Sequence, residues 1–148
     1  MEVLKSKMKT LVISSELDTT HLLEVKLHKD GHQVISARTG DQGLEQVRQE
    51  QPEVVILDPQ VPGEHGLGLI RHLKAAARQA PVLLVLSSEA GTANIADAFA
   101  HGADDFVAQP FSPQGLLERV RVTLIRSGRL PEESVGSCPK LVTLPQQL

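Results

Sequence analysis

Short, unbroken apolar runs alternate along this chain with stretches in which apolar residues recur every three or four positions. The clearest run is Val54-Val55-Ile56-Leu57, entered from Glu53 and left at Asp58. Leu11-Val12-Ile13 comes before it, and Pro81-Val82-Leu83-Leu84-Val85-Leu86 follows. A strand with one wet face alternates apolar and polar residues. Continuous runs of this length fit strands buried on both faces, as in a parallel sheet. His32-Gln33-Val34-Ile35-Ser36 and Asp105-Phe106-Val107-Ala108 are weaker strand candidates.

The intervening stretches read as helices. Leu23 and Leu27 share a face, and Gly31 is a natural stop. Leu44 and Val47 carry a second helix that must end before Pro52. Ile70 and Leu73 carry a third, and an alanine-rich fourth lies around Asn94 to Ala100. Ser112-Pro113 opens the fifth as a cap followed by proline at the first helical position. Its inner face is Leu116, Leu117, Val120 and Leu124 at helical spacing.

Five strands alternating with five helices predict a doubly wound α/β domain around a parallel sheet. Functional groups in such sheets gather at the carboxyl ends of the strands. Here those ends are Ser14-Ser15, Asp58, Ser87 and Ala108-Gln109-Pro110. From Ser127 to Pro139 the chain turns rich in Gly, Pro and Ser and reads as a linker. The expected division is a domain over 8–127 and a linker or C-terminal tail over 128–148.

Composition narrows the function. The chain has 148 residues, enough to bury a sizeable core without staples. Its one cysteine, Cys138, makes neither an internal disulfide nor a cysteine metal site. A net charge of −3 argues against a strongly basic nucleic-acid surface, and three phenylalanines are too few for base-stacking platforms. No apolar run approaches membrane-spanning length and no signal peptide is visible, so a cytoplasmic chain is expected. The histidines, His28 and His32 included, lack the rigid shared face that metal ligands need and read as solvated.

The strand-end residues resemble the response-regulator receiver family, of the CheY type. Pro52 through Asp58, followed by Val61-Pro62-Gly63 and Gly66, is similar to its phosphoacceptor segment. Pro81 through Leu86-Ser87-Ser88 is similar to its fourth strand, which ends in a hydroxyl residue. Gly102-Ala103-Asp104-Asp105-Phe106-Val107-Ala108-Gln109-Pro110-Phe111 is similar to the segment that holds a switch aromatic and a lysine-proline pair. The resemblance runs from about Lys9 to Arg126. It implies a flavodoxin-like (βα)5 fold with strand order 2-1-3-4-5 and a cis peptide at Gln109–Pro110. It also implies Mg²⁺-assisted phosphoryl transfer to Asp58, with Ser87 and Phe106 at the switch positions.

Three pocket positions depart from that pattern. The family places two acidic residues after the first strand, where this chain has Ser14 and Ser15. The family's lysine before proline is Gln109 here. Of four charged positions, Asp58 alone keeps its charge. Neutral hydroxyls are poor Mg²⁺ ligands beside carboxylates, and Gln109 brings a hydrogen bond without a counter-charge. Glu16 is the nearest other acid, at a place where the family's third acid tends to face outward. The expectation is a degenerate pseudo-receiver with no enzymatic activity and with Mg²⁺ absent or weakly bound. Its role in signal transduction or transcription regulation would rest on protein contacts. The alternative is a conventional phosphorelay receiver phosphorylated on Asp58.

The segment from Gly102 to Phe111 resembles the OmpR/PhoB-type receivers. That resemblance implies a homodimer through the fourth helix, fifth strand and fifth helix. Asp105 would meet Arg119, and Asp104 would meet Arg126, across the two-fold axis. A third pair has become Ile95 and Gly115. A histidine kinase or an effector protein is the other expected partner. DNA would be reached only through a further domain outside this chain.

Overall fold

The computed structural model describes residues 8–59, 61, 68–87, 95–108 and 111–129. Five strands and five helices alternate along them. They are β1 (Lys9–Ile13), α1 (Leu17–Lys29), β2 (Gln33–Ala37), α2 (Gly40–Glu50), β3 (Val54–Leu57), α3 (Gly68–Ala76), β4 (Val82–Ser87), α4 (Ile95–His101), β5 (Asp105–Ala108) and α5 (Pro113–Arg126). The strands form one parallel sheet in the order β2-β1-β3-β4-β5, as expected.

Both faces of the central strands are covered, which is why their sequences are unbroken apolar runs. Leu11, Ile13, Val55, Leu57, Leu83 and Val85 point to one side and pack with Val47 of α2, Leu69, Ile70 and Leu73 of α3, and Ala98 of α4. Val12, Val54, Ile56, Leu84 and Leu86 point to the other. They pack with Leu23 and Leu27 of α1 and with Leu116, Leu117, Val120 and Leu124 of α5. Each fully buried aliphatic side chain stabilises the fold by roughly 1.5–3 kcal/mol relative to exposure. The strongly apolar positions therefore dictate the register. On the first side α2 comes so close that a Cβ on Gly43 would lie 2.5 Å from Cδ1 of Ile13.

Local chemistry sets the helix ends. Thr39 caps α2 by accepting the Gln42 amide at 3.0 Å, while Oε1 of Gln42 accepts the Arg38 amide at 2.9 Å. This reciprocal pair is a variant of the capping box. Ser112 caps α5 by accepting the Gly115 amide at 2.9 Å, with Pro113 following it. α1 stops where the sequence predicts. Gly31 takes φ 92°, its amide reaches His28 O, and the His32 amide reaches Leu27 O. That is a Schellman cap, and its left-handed position favours glycine. α4 and α5 end the same way at Gly102 and Gly128.

α2 ends differently. Gln51 is the one non-glycine residue with positive φ among the described residues, at φ 49°. Its side chain compensates: Nε2 donates to Val47 O and Arg48 O at 3.0 Å each, and Oε1 accepts the Arg78 amide at 2.9 Å. One glutamine thus closes α2 and ties it to the chain leaving α3.

The solvated reading holds for His28, which is exposed, and fails for His32, which is buried. The Schellman turn carries His32 under the end of α1, where its Nδ1 meets Thr10 Oγ1 at 2.8 Å. No helix among the described residues is long and apolar enough to cross a membrane.

Candidate functional site

The pairing of β1 with β3 brings the ends of two strands together. Ile13 lies beside Leu57, and the Asp58 amide donates to Ile13 O at 2.9 Å. Ser14, the next residue on β1's side, donates its amide to Ala37 O at 3.0 Å. Asp58 is half-buried, and its carbonyl accepts the Val61 amide at 3.3 Å. The sheet therefore sets Ser14 and Asp58 side by side at its carboxyl edge, where the sequence placed them.

The two serines differ. Ser14 is buried, and its Oγ accepts the Glu16 amide at 3.1 Å, closing a short turn ahead of α1. Ser15 is exposed. Glu16 is exposed as well, and its Oε1 accepts the Thr19 hydroxyl at 3.1 Å. Among the described residues, no three His, Cys, Asp or Glu side chains gather into a metal site.

β4 ends at Ser87, whose backbone pairs with Ala108 of β5. Phe106 pairs with Val85 and is half-buried against the α2–α3–α4 side of the core. The side chains of Ser87 and Ile95, together with Gln109, the Gln109–Pro110 bond, Pro62, Gly63, Gly66, Ser88 and Asn94, lie outside the described residues. So does the chain after Arg129.

These elements and their order match a known pattern. Residues 10–121 match the response regulator receiver domain. The chain belongs to that family. A putative response regulator from Chloroflexus aurantiacus is 28% identical, with a TM-score of 0.67, over 80% of this chain and 98% of its own. NtrX from Brucella abortus, solved in complex with ADP, is 25% identical with a TM-score of 0.75. The match covers 82% of this receiver and 28% of NtrX. The chemotaxis response regulator CheY4 of Vibrio cholerae, 21% identical with a TM-score of 0.71 over 80% of this chain and 99% of its own, shares the fold.

The receiver's acidic residues before and at β5 are engaged within the chain. Asp105 is buried, and Arg119 grips it from α5: Nε donates to Oδ2 at 2.8 Å and Nη2 to Oδ1 at 2.7 Å. The Phe106 amide adds a donor to Oδ1 at 2.8 Å. Hydrogen bonding to Asp105 holds the Arg119 guanidinium above its ordinary pKa. Asp104 turns to the other face of the sheet. Its Oδ2 accepts Lys74 Nζ of α3 at 2.7 Å and the Leu83 amide at 2.9 Å. Arg126 is exposed at the end of α5. The sequence pointed to Arg119 meeting Asp105 of a second chain; within this chain it meets its own Asp105 instead. It gave no sign that Lys74 would take Asp104.

Beside this pair, Phe106, Phe111, Gly115 and Arg119 line a shallow depression between β5 and α5. Phe99 of α4 is 44% exposed.

Proposed function

We propose that this receiver is a pseudo-receiver, a regulatory module of signal transduction that acts through protein contacts without Mg²⁺-dependent phosphorylation of Asp58. The observation that carries this reading is Ser14. It occupies the place of a metal-ligating carboxylate, it is buried beside Asp58, and its oxygen already accepts the Glu16 amide. Mg²⁺ wants about six oxygen ligands in octahedral array, anchored by carboxylates. Asp58 is one carboxylate, Ser15 is exposed and neutral, and Glu16 is exposed and engaged by Thr19. This donor set does not fit the ion, and no chemical step is assigned to it. At Gln109 the chain also lacks the cation that would balance a bound phosphoryl group.

The module's output face, in this proposal, is α4, β5 and α5, joined as an isologous homodimer of the OmpR/PhoB type. The exposed Phe99 and the depression beside Phe106 supply apolar area there. Arg119 can reach a second chain's Asp105 only in exchange with its own, and Asp104 must release Lys74 before it meets Arg126. Such exchanges add little net affinity, so the apolar contacts carry the association. A kinase or effector protein on the same face is the other partner this reading admits.

One observation favours the conventional alternative: Asp58 sits half-exposed at the end of β3 in the phosphoacceptor's place. Mass spectrometry after incubation with a small phosphodonor and Mg²⁺ separates the two readings. The pseudo-receiver yields no phosphorylated Asp58. Ready phosphorylation would establish the alternative.

A further inference from the structure

At the end of the sheet away from Asp58, several elements converge on one histidine. His32 stands just before β2 and is 8% exposed. Its Nδ1 is 2.8 Å from Oγ1 of Thr10, which is itself buried on β1. Its Nε2 faces Oδ2 of Asp30, the C-cap of α1, at 3.9 Å. Asp30 in turn holds α5. Nη2 of Arg121 donates to both of its carboxylate oxygens, at 2.7 and 2.9 Å. Glu118, one turn earlier on α5, lies 3.9 Å from Nη1 of Arg121. Glu53, at the entry to β3, also acts on the ring, and its Oε1 accepts the Lys9 amide. Lys9 sends its own ammonium away to Glu50.

We propose that His32, Asp30 and Arg121 form an acid-released latch between α1 and α5. With the ring neutral, one nitrogen donates and the other accepts, so Thr10 satisfies one side and Asp30 remains free to hold Arg121. When a solvent proton binds, both ring nitrogens donate. Thr10 can then only accept, and Nε2 turns a cation on the carboxylate that Arg121 already uses. Two cations share one partly buried carboxylate, and its grip on Arg121 loosens. The bond between the end of α1 and the middle of α5 weakens with it. α5 also carries Arg119, so the latch acts on the helix that bears the proposed contact face. That last link rests on the output face proposed above. The latch itself does not.

The geometry agrees with the ring's acid-base character. Burial is the largest influence and favours the neutral form. Asp30 and Glu53 favour the cation, and Arg121 opposes it. The latch is therefore closed near neutral pH.

An NMR titration of the full chain from about pH 8 to pH 5 tests this, a window that brackets the ordinary histidine range. The readouts are the ring carbons of His32, the side-chain Nε–H of Arg121 and the backbone amides of α5. The expected result is a His32 midpoint below the ordinary histidine value, with the Arg121 and α5 signals moving at that same midpoint. His32→Gln should abolish the Arg121 response. The latch is overturned if Arg121 stays still while His32 titrates, or if the response persists in His32→Gln. It is equally overturned if the chain unfolds before His32 takes up a proton. The wild-type titration decides the matter even if the variant fails to fold.

Discussion

Arg119 holds Asp105 in a two-pronged ion pair within a single chain, with donor–acceptor distances of 2.8 and 2.7 Å. The Asp105 side chain is 10% exposed and the Arg119 side chain 54% exposed, so the pair is dry at one end and wet at the other. That asymmetry lets one residue serve two purposes: it satisfies a buried acid and remains reachable from outside.

Replacing Arg119 with methionine should leave Asp105 with the Phe106 amide as its main donor. Hydrogen bonds to a charged group contribute about 1.5–3 kcal/mol, and the exposure of Arg119 discounts this to about 1 kcal/mol. The unfolding free energy from a urea titration should fall by that amount. Arg119→Glu should fall further, because two carboxylates then face each other, and it should also weaken self-association. Sedimentation of both variants against wild type separates the effects. A wild-type chain that is monomeric at every concentration ends the dimer proposal and leaves the stability prediction standing.

Gln51 offers a test of side-chain capping against backbone strain. A left-handed conformation costs a non-glycine residue roughly 1–2 kcal/mol, and three side-chain hydrogen bonds at about 1 kcal/mol each offset it. Gln51→Ala keeps the strain and loses the bonds, so it should cost about 1–2 kcal/mol after solvent replaces the partly exposed contacts. Gln51→Gly loses the bonds but also the strain, and should fall between alanine and wild type. Thermal denaturation of the three proteins checks the order. If alanine equals wild type, the bonds to Val47, Arg48 and Arg78 contribute nothing.

Stability should depend on pH through His32. Burial lowers the folded-state pKa below the ordinary histidine value, so the unfolded chain binds a proton more readily. The resulting penalty on the folded state is absent above about 6.5, where both states are neutral, and complete at pH below the folded pKa. Stability should therefore hold steady above about pH 6.5 and decline as pH falls through the interval between the two pKa values. Relative to wild type, His32→Gln should show a shallower decline on the acid side. Denaturant titrations at stepped pH read this directly. Parallel curves for the two proteins would assign the acid sensitivity to other groups.

The fold was legible because its core strands are buried on both faces, which leaves runs such as Val54 to Leu57 with no other comfortable place. Gly31 and Ser112-Pro113 were legible because caps depend on residues adjacent in sequence. The Lys74–Asp104 pair was not, since 30 positions separate its members and any exposed acid could have claimed the lysine. His32 was misread for a similar reason. Its burial depends on Arg121, Asp30 and Thr10 arriving from three other elements, and no local spacing announces that. At the site, the positions of Ser14 and Asp58 followed from the strands. The contrast between a buried Ser14 and an exposed Ser15 needed the turn that Ser14 closes onto Glu16.

That contrast sharpens what should happen when the pocket's charges are restored. Wild-type protein should show no shift in melting temperature with Mg²⁺ and no acyl phosphate on Asp58. Ser15→Asp alone should be nearly neutral, because the position is exposed. Ser14→Asp should cost more, because it sets a carboxylate at a buried position beside Asp58. Two carboxylates ~5 Å apart repel by roughly 3 kcal/mol at an effective dielectric near 20, and relaxation reduces the realised cost toward about 1 kcal/mol. The triple variant Ser14→Asp, Ser15→Asp, Gln109→Lys should therefore melt lower than wild type without metal. Mg²⁺ should return part of the loss by binding only the folded state. With a cation restored at 109, Asp58 should also accept phosphate from a small donor. A wild-type chain that binds Mg²⁺ and accepts phosphate as readily as the variant makes the pseudo-receiver proposal wrong. A triple variant that ignores Mg²⁺ has a different meaning. The turn Ser14 builds with Glu16 would then hold the end of β1 in a geometry that carboxylates alone do not convert into a metal site.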